Sequence, residues 1–370
     1  MNHKILIIYP YFSPAEKAGG IVSSLCNLVN NLDNYQFYIY TSCYDLDGTQ
    51  LDVKVNQWIN ANDNIQVYYS SADDANAIKA VLDEIKPDKI YINGIYGNKF
   101  FFKPIMALKG IKSKVIIAPR GMLHAGALKV KALKKKVYLS AIKISGLLKG
   151  LHWHATDEQE VKDIQMHFKG ADVTLAQDTP PLQPNFANLT HTKQQGQLKL
   201  VFLSLITEKK NLLFLLEVMD KHPQLNVSLD VIGPIKDHAY WEKCLPLIEK
   251  NKDRIKYVGQ VAPKEVVETL LPYDFFILPT LGENFGHVIF EALTAGKPVI
   301  ISHFTPWSNL EAKQAGFNLD LDEAEWHNQL TKLVDLDNEG YQQMAQGAQS
   351  YLKDYLKSYT PKVDYEPLFG

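Results

Sequence analysis

Two glutamates, Glu283 and Glu291, stand eight residues apart in the segment DFFILPTLGENFGHVIFEALTAGKPVIIS (274–302). An apolar run precedes them. A loop of Gly282, Glu283, Asn284, Phe285 and Gly286 follows, and a helical pattern starts near His287. A buried strand entering a helix through such a loop puts Glu283 above the strand end and Glu291 just over a turn into the helix. The N–H groups and positive dipole end of the helix favour anionic or hydroxyl-rich ligands. Each carboxylate accepts bidentate hydrogen bonds, so the pair suits the hydroxyls of a sugar or ribose. Two unrelated surface glutamates, one of them stabilised by the helix dipole, would share the spacing.

Other residues offer weaker chemistry. Gly19 and Gly20 lie between a strand and a helix, where backbone N–H groups can approach a phosphate closely; a simple turn is the alternative. The loop is not GxGxxG, which argues against a dinucleotide oxidoreductase. Lys209 and Lys210 precede a helix as phosphate-neutralising cations or as a solvated charge pair. Arg120 and His124 share a loop after the strand 114–119. Cys26, Cys43 and Cys244 are far apart and form no CxxC pair, and no metal-ligand spacing is present.

These residues must be held by regular elements, and the chain supplies them. It has 370 residues, 46% hydrophobic and 22% charged, enough for two sizeable cores. The composition excludes a disordered or collagen-like chain and a disulfide mini-protein. Strands are predicted at 4–10, 36–42, 65–70, 89–95, 114–119 and 173–177, with helices over 19–32, 73–86, 126–149 and 157–168. A proline-rich, aperiodic stretch at 178–197 reads as a linker. The alternation restarts with strands at 199–205, 226–234, 255–261, 275–280 and 298–302. Helices fit at 211–222, 238–251, 263–273, 287–296, 306–315 and 340–357. Alternating strands and helices with near-continuous apolar strands specify an α/β class with parallel sheets covered on both faces. Domains are expected at 1–178 and 199–354, joined by a linker at 179–198.

Charge divides unevenly between the halves. Residues 1–180 hold 21 basic and 17 acidic residues, and 181–370 hold 18 and 24. The net charge of −2 gives no reason to expect nucleic acid as a partner. The segment 129–149 holds seven lysines and no acidic residue, with Leu133, Val137 and Ile144 among its apolar residues. It suits either an anionic membrane surface or a solvated face of a core-packed helix. With no targeting signal and no window long enough to span a bilayer, the expectation is a cytoplasmic protein, with any membrane attachment peripheral.

The pattern Glu283-x7-Glu291, followed by Ala292, Leu293, Gly296, Pro298 and Val299, resembles the donor-site signature of GT-B glycosyltransferases of the family 4 type. The resemblance continues through Thr305-Pro306-Trp307, Gly233-Pro234, Gly259 and Asp274. In the N-terminal half it extends to Gly19-Gly20-Ile21 and to APRGMLHAGALKVKALKK (118–135).

The resemblance implies two Rossmann-like domains facing a central cleft. The reaction it implies is retaining, metal-independent transfer of a hexosyl group from a nucleotide sugar, UDP- or GDP-linked, with no separate cofactor. A saccharide or lipid-linked acceptor in cell-surface polysaccharide synthesis follows by the same analogy, as does a final helix, about 355–370, packed on the first domain. It implies that Glu291 binds ribose hydroxyls and Glu283 the donor sugar. Backbone N–H groups around Asn284, Phe285 and Gly286 would hold sugar and phosphates, with Gly19, Gly20 and Gly233 lining the donor. Lys210 falls on the family's diphosphate-binding lysine, but Leu205 stands where the family has arginine. Lys209, Arg120 or the Gly19–Gly20 backbone are the groups available to compensate. Arg120 and His124 are expected near the donor phosphates or the acceptor, so that Arg120→Ala would lower turnover far more than stability. Leu205 keeps open an inactive nucleotide-sugar-binding protein. A nucleotide-sugar epimerase or a phosphorylase of the same architecture fits the motifs less well.

Overall fold

The computed structural model describes residues 3–71, 75–108, 111–124, 127–128 and 132–370, without the side chains of 75 and 76. Residues 3–181 and Thr360–Gly370 form one compact unit, and Leu182–Tyr359 a second.

The first unit is built on an eight-stranded sheet. Its strands are β1 (His3–Ile8), β2 (Tyr35–Ser42), β3 (Trp58–Asn62), β4 (Ile65–Ser70), β5 (Lys89–Asn93), β6 (Lys114–Ala118), β7 (His152–Ala155) and β8 (Asp172–Leu175). Their order is β3-β4-β2-β1-β5-β6-β7-β8, parallel except for β3. The helices are α1 (Gly20–Asn31), α2 (Ala75–Ile85), α3 (Lys103–Ala107), α4 (Ala132–Ser145) and α5 (Glu158–His167). Ile5, Leu6, Ile7 and Ile8 are all fully buried, as an unbroken apolar run in a parallel sheet requires.

The second unit has a six-stranded, wholly parallel sheet of order β11-β10-β9-β12-β13-β14. Its strands are β9 (Leu198–Leu203), β10 (Val227–Ile232), β11 (Ile255–Gly259), β12 (Phe275–Leu278), β13 (Val299–Ser302) and β14 (Gly316–Leu319). Its helices are α6 (Leu212–Lys221), α7 (His238–Lys250), α8 (Val266–Leu270), α9 (His287–Thr294), α10 (Glu323–Asp335) and α11 (Asn338–Ser358). The last helix, α12 (Pro361–Phe369), packs in the first unit, where Tyr365, Leu368 and Phe369 are buried in the core. Aspartates cap four helices: Asp157 accepts from the Glu160 N–H, Asp237 from Tyr240, Asp322 from Glu325 and Asp337 from Gly340.

The stretch 182–197 carries no strand or helix and packs on the second unit. There Lys193 donates to the Val334 and Leu336 carbonyls, and His191 Nε2 pairs with Asp274 Oδ1 at 2.8 Å. The helix predicted at 306–315 is absent. A loop with one 3-10 turn, Glu311–Lys313, replaces it, in which the Asn318 side chain takes the Trp307 carbonyl and the Leu310 N–H. The helices α3 and α10 and the strands β3, β7 and β14 lie outside the predicted elements. Strand β3 is a mostly exposed edge, β7 is the polar HWHA, and β14 begins at a glycine. None of the three shows an apolar run long enough to read.

Candidate functional site

The loops that follow the neighbouring strands β9, β12 and β13 meet at the C-terminal edge of the second sheet. The Leu281 N–H donates to the Lys209 carbonyl at 2.8 Å, and the Glu283 N–H to the Phe304 carbonyl at 2.9 Å. Ser302 Oγ donates to the Thr280 carbonyl at 2.6 Å. This cross-stitching brings Lys210 Nζ to 2.5 Å from Glu283 Oε1. Thr280 Oγ1 lies 3.0 Å from the same carboxylate oxygen and accepts from the Gly282 N–H at 3.2 Å. Lysine and carboxylate are thus drawn from two strand ends into one spot. They are 15% and 9% exposed, reachable yet partly shielded from water. A cation in that setting acts on a ligand charge more strongly than it would in bulk solvent.

The loop then turns into α9. Gly286 adopts a left-handed φ of 80° as the N-cap, and a Cβ there would meet Ile289 Cδ1 at 2.9 Å. Phe285 is buried beside Trp307, whose Nε1 donates to the Phe285 carbonyl at 2.6 Å. That bond, with the edge-on Phe285–Trp307 packing, fixes the path of Asn284, Phe285 and Gly286 into the helix. Glu291 sits one turn further on. Burial is the sole cause acting on its carboxyl and pushes it up to about 7. A half-buried carboxyl with no ion pair among the described residues is one that a ligand hydroxyl can satisfy.

Gly233 ends β10 at the same edge. Its φ is 140°, and a Cβ would stand 1.9 Å from the Ser204 carbonyl oxygen. The glycine therefore allows the backbone after β9 to lie close against β10, which sets the approach to Lys210. Leu205, at the position where the resemblance expects arginine, is 45% exposed.

The residues singled out in the first unit have a different setting. Gly19 caps α1 with φ 77°, and Gly20 is its first residue. His124 is half-buried in a turn, its N–H donating to the Gly121 carbonyl at 3.1 Å. Arg120 is an inward-facing residue. Its side chain is 4% exposed and paired with Asp178, and its backbone holds a left-handed φ of 56°. Burial opposes the guanidinium charge, and Asp178, with Tyr91, Tyr365 and Glu160, outweighs it. Burial, with the Arg120 charge second, lowers His154 to about 4, and its neutral ring bonds Tyr91 Oη at 2.6 Å. Arg120 is thus paired with an internal carboxylate, while its Nε stands without a hydrogen-bond partner among the described residues.

Sequence reasoning did not single out Thr280, the partner role of Asp178, or a polar row in the first sheet. Strand register pairs Ile7 with Ile39 and with Tyr91, so Thr41, Tyr9 and Asn93 follow as neighbours on one face. Thr41 Oγ1, both side-chain polar atoms of Asn93 and Arg120 Nε are buried without a hydrogen-bond partner among the described residues. Such groups call for water or ligand hydroxyls. The only sequence signal was a polar residue closing each apolar run. Among the described residues, no group of three or more His, Cys, Asp or Glu could hold a metal ion.

The two sheets and their order define the fold of GT-B glycosyltransferases, and solved structures agree. The sucrose-phosphate synthase of Thermosynechococcus elongatus superposes with a TM-score of 0.68 at 14% identity, covering 95% of this chain and 94% of its own. HepE of Anabaena, solved with UDP and glucose, gives 0.64 at 13% identity, covering 99% of this chain and 98% of its own. WaaG, a glycosyltransferase involved in lipopolysaccharide biosynthesis, gives 0.63 at 14% identity, with 99% and 100% covered. No curated protein matches the sequence itself. Residues 189–350 match the family described as glycosyl transferases group 1.

Proposed function

We propose that the protein transfers a hexosyl group from a nucleotide-sugar donor to a saccharide or lipid-linked acceptor, with retention at the anomeric carbon and without a metal. The observation that carries this reading is Lys210 paired with Glu283 at 2.5 Å at the sheet edge, with the half-buried carboxyl of Glu291 on the helix that follows the same loop. Lys210 supplies a fixed cation for the leaving diphosphate, where negative charge grows in the transition state. Glu283 accepts from donor-sugar hydroxyls and holds Lys210 in place. Glu291 meets the ribose hydroxyls. The backbone of Asn284, Phe285 and Gly286 and the start of α9 add N–H groups beside them. Attack by the acceptor hydroxyl breaks the bond between the anomeric carbon and the phosphate oxygen. The leaving phosphate takes the acceptor proton, so no protein nucleophile is required.

HepE, of similar fold, was solved with UDP-glucose, which favours a UDP-linked donor over a GDP-linked one. A role in cell-surface polysaccharide synthesis, on the cytoplasmic side, is the setting this chemistry fits. The test is release of nucleoside diphosphate from UDP-, GDP-, ADP- and dTDP-sugars, with and without acceptor sugars. Release or transfer above background that falls in Lys210→Ala supports the reading. No release from any donor favours the second reading, a nucleotide-sugar-binding protein without turnover. The specific observation behind that alternative is Leu205, an exposed apolar side chain at the expected arginine position.

A further inference from the structure

Building on the sugar-transfer reading, we infer that Thr280 is a positioning residue. Its buried hydroxyl and Lys210 together hold one oxygen of Glu283 and leave the other for a hydroxyl of the donor sugar. Thr280 follows β12 and is fully buried, so it acts through Glu283 and not on the ligand. Its side chain stands where the loops after β9 and β12 meet. Oγ1 lies 3.0 Å from Glu283 Oε1, 3.1 Å from the Lys209 carbonyl and 3.2 Å from the Gly282 carbonyl. It also accepts from the Gly282 N–H at 3.2 Å. The Thr280 carbonyl takes the Ser302 hydroxyl at 2.6 Å, which pins the backbone to the end of β13.

A threonine hydroxyl has one proton to give, and three acceptors are within its reach. The Lys209 carbonyl already accepts from the Leu281 N–H at 2.8 Å. Glu283 is the charged acceptor of the three, so the proton goes to its carboxylate. The two carboxylate oxygens are therefore used unequally. Oε1 takes both Lys210 Nζ, at 2.5 Å, and the Thr280 hydroxyl. Oε2 has no hydrogen-bond partner among the described residues and is not sealed from solvent. Lysine is a point charge on a flexible stem, and alone it lets the carboxylate turn about their contact. Threonine is stiff at χ1, and its backbone here is tied down. A second bond at the same oxygen, from a group that cannot move, fixes the direction in which Oε2 points. That oxygen is the one a donor-sugar hydroxyl can reach.

The test is donor turnover by the full chain, read as kcat/KM on UDP-, GDP-, ADP- and dTDP-sugars, with the affinity for each diphosphate measured by calorimetry. Thr280→Val keeps the shape of the side chain and removes the hydroxyl. It is expected to lower kcat/KM about ten- to a hundredfold, the worth of one hydrogen bond to a charged group. Diphosphate affinity should stay as in wild type, because Glu283 still holds Lys210. Thr280→Ser keeps the hydroxyl and should keep the turnover. In a Glu283→Ala background, Thr280→Val should have no further effect, since nothing is left for it to act through. A merely structural threonine would instead lower sugar turnover and diphosphate affinity together, in both backgrounds. Wild-type turnover in Thr280→Val, or a loss that persists undiminished in the Glu283→Ala background, would overturn the role of Thr280 and leave the sugar-transfer reading standing. A wild type that turns over none of the donors contradicts the sugar-transfer reading itself, and the role of Thr280 falls with it.

Discussion

Each unit of this protein places a cation just beyond a central strand and pairs it with a carboxylate. In the first unit the pair is Arg120 with Asp178, and in the second it is Lys210 with Glu283. Their surroundings differ. Arg120 is enclosed by the buried residues Tyr9, Tyr91, His154, Glu160 and Tyr365. Lys210 and Glu283 lie among loops that expose Leu205, Leu281 and Phe304 at 45%, 46% and 56%. An ion pair at a strand end is therefore not a site by itself. The first pair anchors a core, and the second stands where a ligand can reach it.

The contrast is easiest to break with Arg120→Ala. Removing the guanidinium leaves the Asp178 carboxylate buried without its ion partner, and urea unfolding should show a loss of about 3–5 kcal/mol. This reverses the expectation drawn from sequence, in which turnover suffered more than stability. A stability loss below about 1 kcal/mol would put Arg120 back among the candidate ligand contacts.

Lys210→Ala is the counterpart. Loss of a fixed cation at the leaving diphosphate should lower kcat about 10²- to 10³-fold, beyond the stability lost by leaving Glu283, 9% exposed, without its ion partner. Equal losses in turnover and stability would erase the distinction between the two pairs.

Glu291 sharpens the comparison through pH. Its carboxyl has a folded value of about 7 against 4.5 for the free group, raised by burial. The fold binds this proton more tightly than the unfolded chain does. The associated stability is fully present below pH 4.5 and is lost as pH rises through 7. Wild type should lose about 2–3 kcal/mol more than Glu291→Gln between pH 4.5 and 8. Parallel stability profiles for the two proteins would show that the site does not hold this carboxyl neutral.

The smallest expected effect is a gain. Leu205→Arg restores a cation beside Lys210 on an exposed position, and nucleoside diphosphate affinity should rise about tenfold through one charge-assisted hydrogen bond. Unchanged affinity by calorimetry would mean that the ligand phosphates do not pass this loop.

Much of this arrangement was legible in the sequence where one pattern carried it. The strand at 275–278 and the helix at 287–294 followed from an apolar run, a glycine loop and a return to helical spacing. Those elements position Glu283, Glu291 and the residues between them. Lys210 was legible from its place after β9, but its 2.5 Å approach to Glu283 was not, because the hydrogen bonds that bring the two loops together are long-range. The Arg120–Asp178 pair was not legible for a related reason. A positive residue after a strand looks the same in sequence whether it faces ligand or core, and Asp178 lies 58 residues away. The predicted helix at 306–315 gives way to a loop in which the Asn318 side chain takes the Trp307 carbonyl and the Leu310 N–H, tertiary bonds that local periodicity does not register. In α4, the lysines and aliphatic residues were visible, but which aliphatic residues face outward was decided only by packing of Leu139 and Ile142.

The central claim is that the Lys210–Glu283–Glu291 edge is a nucleotide-sugar site, and calorimetric titration of UDP, GDP, ADP and dTDP tests it most directly. Wild type is expected to bind one nucleotide selectively, and Glu291→Ala to bind it more weakly. Failure of all four to bind, or binding that Glu291→Ala leaves unchanged, would contradict it.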